Sequence, residues 1–167
     1  VQHGPILRVV FGSRNPSYIS PILSAIQSDL CESGIDGVLS THIQRDALEK
    51  FSYVSPIGAA GVYLHAVAGD FQKEGAAREL FKSMIREIST LAAAMGYPFE
   101  KDYVKINLEI LSNLSADATT SMQRDIMEGK PSELDGLVME PLRLAKKYSV
   151  SMPCYEEVAN ALCPLEF

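Results

Sequence analysis

Tryptophan is absent from this chain and cysteine is scarce: the three thiols, Cys31, Cys154 and Cys163, stand at no paired spacing. An odd, unpaired set argues against a disulfide framework and against a zinc site. The thiols read as reduced and the protein as cytoplasmic, with Cys31 and Cys163 as core filler. Basic residues are outnumbered, 15 against 21 acidic ones, for a formal net charge of -6. None of them gathers into a stripe, which argues against a nucleic-acid partner. No run of roughly 18 apolar residues occurs, so no membrane-spanning helix is expected. His3, His42 and His65 share no spacing and read as surface or packing residues. Also missing is any Gly-x-Gly-x-x-Gly turn after a strand, the turn a dinucleotide pyrophosphate needs. Gly58-Ala59-Ala60-Gly61 lacks that spacing and falls inside a helical pattern.

What is present is an ordinary globular composition. Hydrophobic residues make up 47% and charged residues 22% of 167, enough for one well-formed core. The run Gly4 to Gly12 is β-like and ends in Gly12-Ser13-Arg14-Asn15-Pro16. A lone strand cannot satisfy its own ladder bonds, so it needs a partner, either Gly37 to Ile43 or a sheet outside this chain. The remainder reads as helix. Ile19, Ile22, Leu23, Ile26 and Leu30 fall on one face. A longer helix is expected from about Arg45 to about Ala68, kinked at Pro56 and apolar nearly all round its middle. Gly58 and Gly61 there mark a close helix approach or a local break. Leu80, Phe81, Met84, Ile88, Leu91 and Met95 form an amphipathic stripe ended by Gly96 and Pro98. Tyr103, Ile106, Ile110, Leu111 and Leu114 define another helix, and Pro153 opens the last. Met84, Met95, Met122 and Met127 read as core methionines at helical spacing.

The most informative stretch is Thr120 to Asp135, one helix ending in a turn from which a second begins. Gly129 suits a left-handed helix end, Pro131 follows it, and Ser132 with Asp135 has the spacing of a capping box. Those local rules leave Ser121, Asp125 and Glu133 unexplained at the same corner. Ser-Met-x-x-Asp followed by Gly-x-Pro-Ser-Glu-Leu-Asp resembles the C-terminal domain of ketopantoate reductases (2-dehydropantoate 2-reductases). Glu49-Lys50-Phe51 resembles the catalytic-lysine segment of that family, Arg86-Glu87 with Ala92 and Gly96 its following helix, and Ser151-Met152-Pro153 its final-helix entry. The likeness runs from about Phe11 to about Leu162.

That resemblance implies a mainly α fold, the helical C-terminal domain of the 6-phosphogluconate-dehydrogenase C-terminal-like type, with a short N-terminal β attachment. Residues 1–16 then read as the remnant of a junction with an N-terminal Rossmann domain that carries the glycine-rich turn. Residues 17–167 read as the all-helical substrate-binding and catalytic domain. The implied reaction is NADPH-dependent reduction of a 2-oxo acid, with ketopantoate as substrate and pantothenate and coenzyme A biosynthesis as context. Lys50 is then the proton donor, Glu133 the carboxylate that orients cofactor and substrate, and Ser121 a hydroxyl on the substrate. A fragment of this extent is not expected to bind NADPH well or turn over alone.

Without the family, Lys50 is a solvated surface lysine, Ser121 a plain helical serine and Glu133 a carboxylate favourably placed at a helix start. Asp125 and Asp135 read as structural, bonding backbone amides around the turn. The chain departs from the family at Val54 and Gly58, one and two turns beyond Lys50, and at Ala68, where asparagines are usual. Each lost amide removes hydrogen bonds of about 0.5–1.5 kcal/mol, so another 2-oxo acid fits the less polar wall as well. Ser52, Tyr53 and Ser55 are candidates for replacement contacts. The resemblance also allows a homodimer. The competing reading is a helical dimerisation or interaction domain with a degenerate site.

Overall fold

The computed structural model describes residues 7–15 and 20–162; His3, Ile19 and Cys163 lie outside them. The chain forms two compact units, residues 1–47 and 48–167. In the first, β1 (Arg8–Phe11) and β2 (Asp36–Leu39) pair in parallel, Arg8 opposite Asp36 and Phe11 opposite Leu39. A parallel pair needs a crossover, and α1 (Pro21–Glu32) supplies it. Ser20 caps that helix by accepting from the Ile22 amide, with Pro21 in the first turn. The side-chain amide of Gln27 donates to the Gly37 carbonyl at 2.9 Å, fastening helix to strand. Of the two partners considered for the first strand, the segment that includes Gly37 is one it pairs with. The first unit holds β1, α1 and β2 as one βαβ element. Cys31 on α1 is exposed, not core filler.

The second unit is helical. Its elements are α2 (Ile43–Leu64, which begins before the unit boundary), α3 (Ala68–Gln72), α4 (Ala76–Ala94), α5 (Tyr103–Ser112), α6 (Ser121–Met127), a π-helical turn Asp135–Met139 continuing into α7 (Glu140–Tyr148), and α8 (Pro153–Leu162). The fold is therefore mainly α. Helix α4 is central and packs against α3, α5, α7 and α8. Its inward row Phe81, Met84, Ile85, Ile88 and Leu91 is at most 2% exposed. At about 1.5–3 kcal/mol for each fully buried large apolar side chain, that row is a main source of stability.

Helix α2 runs on through Pro56, whose ring nitrogen has no hydrogen to offer the Ser52 carbonyl four residues back. Asn107 of α5, fully buried, fills that role: its side-chain amide donates to the Ser52 carbonyl and to Ser52 Oγ, both at 3.1 Å. Helix α2 stops at Leu64, short of the expected Ala68. His65 turns left-handed at φ 50° and the Ala66 amide reaches back to the Gly61 carbonyl at 3.0 Å. On α5 the buried row is Asn107 and Leu111, while Ile110 and Leu114 are exposed. Met127 is 84% exposed, so it is not a core methionine.

Candidate active site

Lys50, Val54 and Gly58 lie four residues apart on α2 and so share one helix face. That face descends from solvent to interior: Lys50 is exposed, Val54 is 36% exposed and Gly58 is buried. A Cβ built on Gly58 would lie 3.1 Å from Met122 Cε and 3.9 Å from both Thr120 Oγ1 and Leu137 Cδ1. The lower end of the stripe therefore meets the start of α6 and the π-helical turn. The methyl group of Met122, itself buried, covers the position where the resemblance leads one to look for an amide.

Ser121 is the first residue of α6 and is exposed. Its position is fixed by a capping box: Thr120 Oγ1 accepts from the Gln123 amide at 3.2 Å, and Gln123 Oε1 accepts from the Thr120 amide at 2.9 Å. Gln123 is buried and reaches across to the Ala66 carbonyl at 2.8 Å. A Cβ on Gly61 would come within 2.8 Å of that side chain, so Gly61 is the close approach between α2 and α6. Helix α6 ends as its sequence dictates, with Gly129 left-handed at φ 64° and the Lys130 amide bonding the Asp125 carbonyl at 2.8 Å.

Glu133 sits just before the second helix and is exposed; its carbonyl accepts from the Leu137 amide at 2.9 Å. Ser132 Oγ accepts from the Leu134 amide only at 3.4 Å. Asp135 does not complete a capping box. Its carboxylate takes both Arg143 Nη1 and Nη2, at 2.8 and 2.7 Å, and those hydrogen bonds hold it below the usual aspartate range. The helix opens as a π-turn over Asp135–Met139, a form frequent at functional sites. The three chemical groups Lys50, Ser121 and Glu133 thus project to solvent from rigidly held backbone, and no hydrogen bond links them to one another.

The candidates for replacement polar contacts divide. Ser52 Oγ donates to the Glu49 carbonyl at 2.7 Å and accepts from Asn107. Ser55 Oγ donates to the Leu137 carbonyl at 2.6 Å and therefore accepts from Tyr155 Oη at 2.5 Å. Both serines are structural. Tyr53 differs: among the described residues its hydroxyl is the one buried side-chain polar atom without a hydrogen-bond partner. It lines a cavity of about 190 Å³ whose wall includes Ile57, Ala68, Phe71, Ala118 and Thr120. Burial raises the Tyr53 phenol above its ordinary pKa. Sequence reasoning missed how polar residues organise this unit. Glu87, for instance, caps α8 by accepting from the Cys154 and Tyr155 amides at 2.8 and 3.1 Å. Desolvation, with Glu87 beside it, pushes the Cys154 thiol up to about 11, which leaves it unreactive at neutral pH.

Among the described residues no group of His, Cys, Asp and Glu is placed to hold a metal ion, and no helix is long and apolar enough to cross a membrane. The segment after β1, Gly12-Ser13-Arg14-Asn15, has a single glycine and does not fit a pyrophosphate.

Comparison with known proteins gives a consistent picture. The family described as "Ketopantoate reductase PanE/ApbA C terminal" matches residues 42–166. The uncharacterized oxidoreductase YkpB of Bacillus subtilis (strain 168) is 24% identical over 151 residues, covering 90% of this chain and 50% of the relative. The crystal structure of 2-dehydropantoate 2-reductase from Methylococcus capsulatus superposes with a TM-score of 0.85 at 23% identity, over 98% of this chain and 52% of that one. A D-mandelate dehydrogenase solved with NADH and anilino(oxo)acetate superposes with a TM-score of 0.81 at 17% identity, over 99% of this chain and 69% of that one. The chain spans about half the length of the first two.

Proposed function

The chain belongs to the ketopantoate reductase C-terminal family, and from that membership we propose that it is the substrate-binding and catalytic part of an NADPH-dependent 2-oxo acid reductase. The observation that carries this reading is the stripe Lys50–Val54–Gly58 running down to the start of α6 beside Ser121. The nucleotide would supply the hydride when bound, with Glu133 as this chain's own orienting contact. As the carbonyl carbon gains a hydride, negative charge builds on its oxygen. The Lys50 ammonium stabilises that oxygen and then gives it a proton, leaving a 2-hydroxy acid and a neutral lysine. Ser121 Oγ hydrogen-bonds the substrate.

Ketopantoate is the substrate proposed first, with pantoate as product and pantothenate biosynthesis as context. Val54 and Gly58 favour a second reading within the same chemistry, a less polar 2-oxo acid, because Met122 presents a methyl group there. The test is nicotinamide oxidation by the full-length protein with ketopantoate and a panel of 2-oxo acids. Lys50→Ala should lower kcat by about 10²–10⁴-fold with an unchanged melting temperature, since Lys50 is exposed and unpaired. A mutant as active as its parent removes Lys50 from the reaction. A folded parent that binds NADPH yet reduces no acid returns the domain to an assembly role. A homodimer belongs to the same proposal, and light scattering on the full-length protein decides it.

A further inference from the structure

Pro141 repeats at the π-turn what Pro56 does on α2. It stands four residues after Leu137, where a regular helix would offer the Leu137 carbonyl an N–H and proline has none. A side chain from another helix claims that carbonyl: Ser55 Oγ donates to it at 2.6 Å.

This bond reaches the candidate site in one further step. The Leu137 amide donates to the Glu133 carbonyl at 2.9 Å, so Leu137 is bonded to Ser55 through its carbonyl and to Glu133 through its N–H. Ser55 follows Val54 and lies five residues after Lys50 on the same helix. Packing runs alongside, with Leu137 Cδ1 3.9 Å from a Cβ built on Gly58. Ser55 itself is held from behind. It is fully buried, as is Tyr155 on α8, and its oxygen accepts from the Tyr155 hydroxyl at 2.5 Å. With that acceptor position filled by Tyr155, the single serine proton is committed to Leu137. The Glu133 carboxylate is exposed, so where it can reach is set by its backbone.

We propose that Ser55, oriented by Tyr155, is a positioning residue of the reductase site: through Leu137 it holds the Glu133 backbone at a fixed place relative to the helix that carries Lys50. The inference rests on the reductase reading. Ser55 touches neither substrate nor nucleotide, and acts because a displacement of roughly 1 Å between reacting groups costs about a hundredfold in rate.

The experiment is a double-mutant cycle on kcat/KM in the full-length protein. Ser55→Ala alone should lower kcat/KM by about ten- to a hundredfold. In a Glu133→Ala background the same substitution should change it by less than about twofold, because the group it positions is gone. Ile88→Val, a core substitution in α4, controls for lost stability and should leave kcat/KM within about twofold of the parent. Tyr155→Phe leaves the serine its acceptor but frees its rotation, and takes the place of Ser55→Ala in the cycle if that variant does not fold, with an expected loss of about threefold to tenfold. Equal losses in both backgrounds, or no loss in either, overturn the positioning role while Lys50→Ala still tests the reductase. If no acid is reduced, the reductase reading fails, and amide hydrogen exchange decides the role of Ser55 separately. In Ser55→Ala the Leu137 amide should gain about tenfold in exchange rate over the Ile88 amide; parallel changes at both, or none, overturn it.

Discussion

Two buried tyrosine hydroxyls of one helical unit are used in opposite ways. At the junction of α2, α8 and the π-turn, Tyr155 is fully buried and its hydroxyl is the end of a closed chain: Tyr155 Oη to Ser55 Oγ to the Leu137 carbonyl. Two residues before Ser55, the Tyr53 hydroxyl is buried with no hydrogen-bond partner, and its side chain is held by an edge-on ring contact with Phe81. Burial raises both phenols above their ordinary pKa. The two differ in partners as well as in depth, Tyr155 being fully buried and Tyr53 half-buried. A closed polar chain fixes where three elements meet, whereas an unpartnered hydroxyl fixes nothing.

The contrast is most severely tested at Ser55. Ser55→Ala strands both the Tyr155 hydroxyl and the Leu137 carbonyl, and should cost about 2–4 kcal/mol in denaturant unfolding. A loss under half of that dissolves the distinction. Tyr155→Phe, which leaves Ser55 its acceptor, should cost about 1–2 kcal/mol by the same measurement. Tyr53→Phe removes a group with no partner and should change stability by less than about 0.5 kcal/mol in either direction. A loss as large as that of Tyr155→Phe would mean that Tyr53 is structural after all. The smallest effect is in the titration. Because the folded phenols ionise at higher pH than unfolded ones, their contribution is fully present below the unfolded value of about 10 and declines as pH rises through the folded values. With Tyr63 also raised by its hydrogen bond to Glu157, phenolate absorbance should show three late-ionising tyrosines in the parent and two in either Phe variant, with stability falling above about pH 10.

Much of this architecture was legible in the residues. The stripe of α4, the left-handed Gly129 and Pro153 at the start of α8 each follow from one local rule. The end of α2 was not, because its left-handed residue is His65 and no glycine or proline marks the stop. On α5, apolar spacing favoured Ile110 and Leu114, yet the buried row holds Asn107, whose value depends on a carbonyl 55 residues away. Asp135 had the spacing of a cap but found Arg143, a partner on the next helical turns. At the candidate site, Lys50, Ser121 and Glu133 stood out through motif spacing. The cavity did not, since Tyr53, Phe71 and Ala118 come from separate segments and only the fold assembles them.

Pro56 has a consequence beyond interrupting a ladder. A regular helix has no unclaimed acceptor along its middle, so nothing on its backbone tells a neighbour where to stop sliding. By withholding one N–H, Pro56 turns the Ser52 carbonyl into an address on a 22-residue helix, and the Asn107 amide reads it. A shift of α5 by one residue forfeits both bonds to Ser52, so the helix has one docking register instead of several.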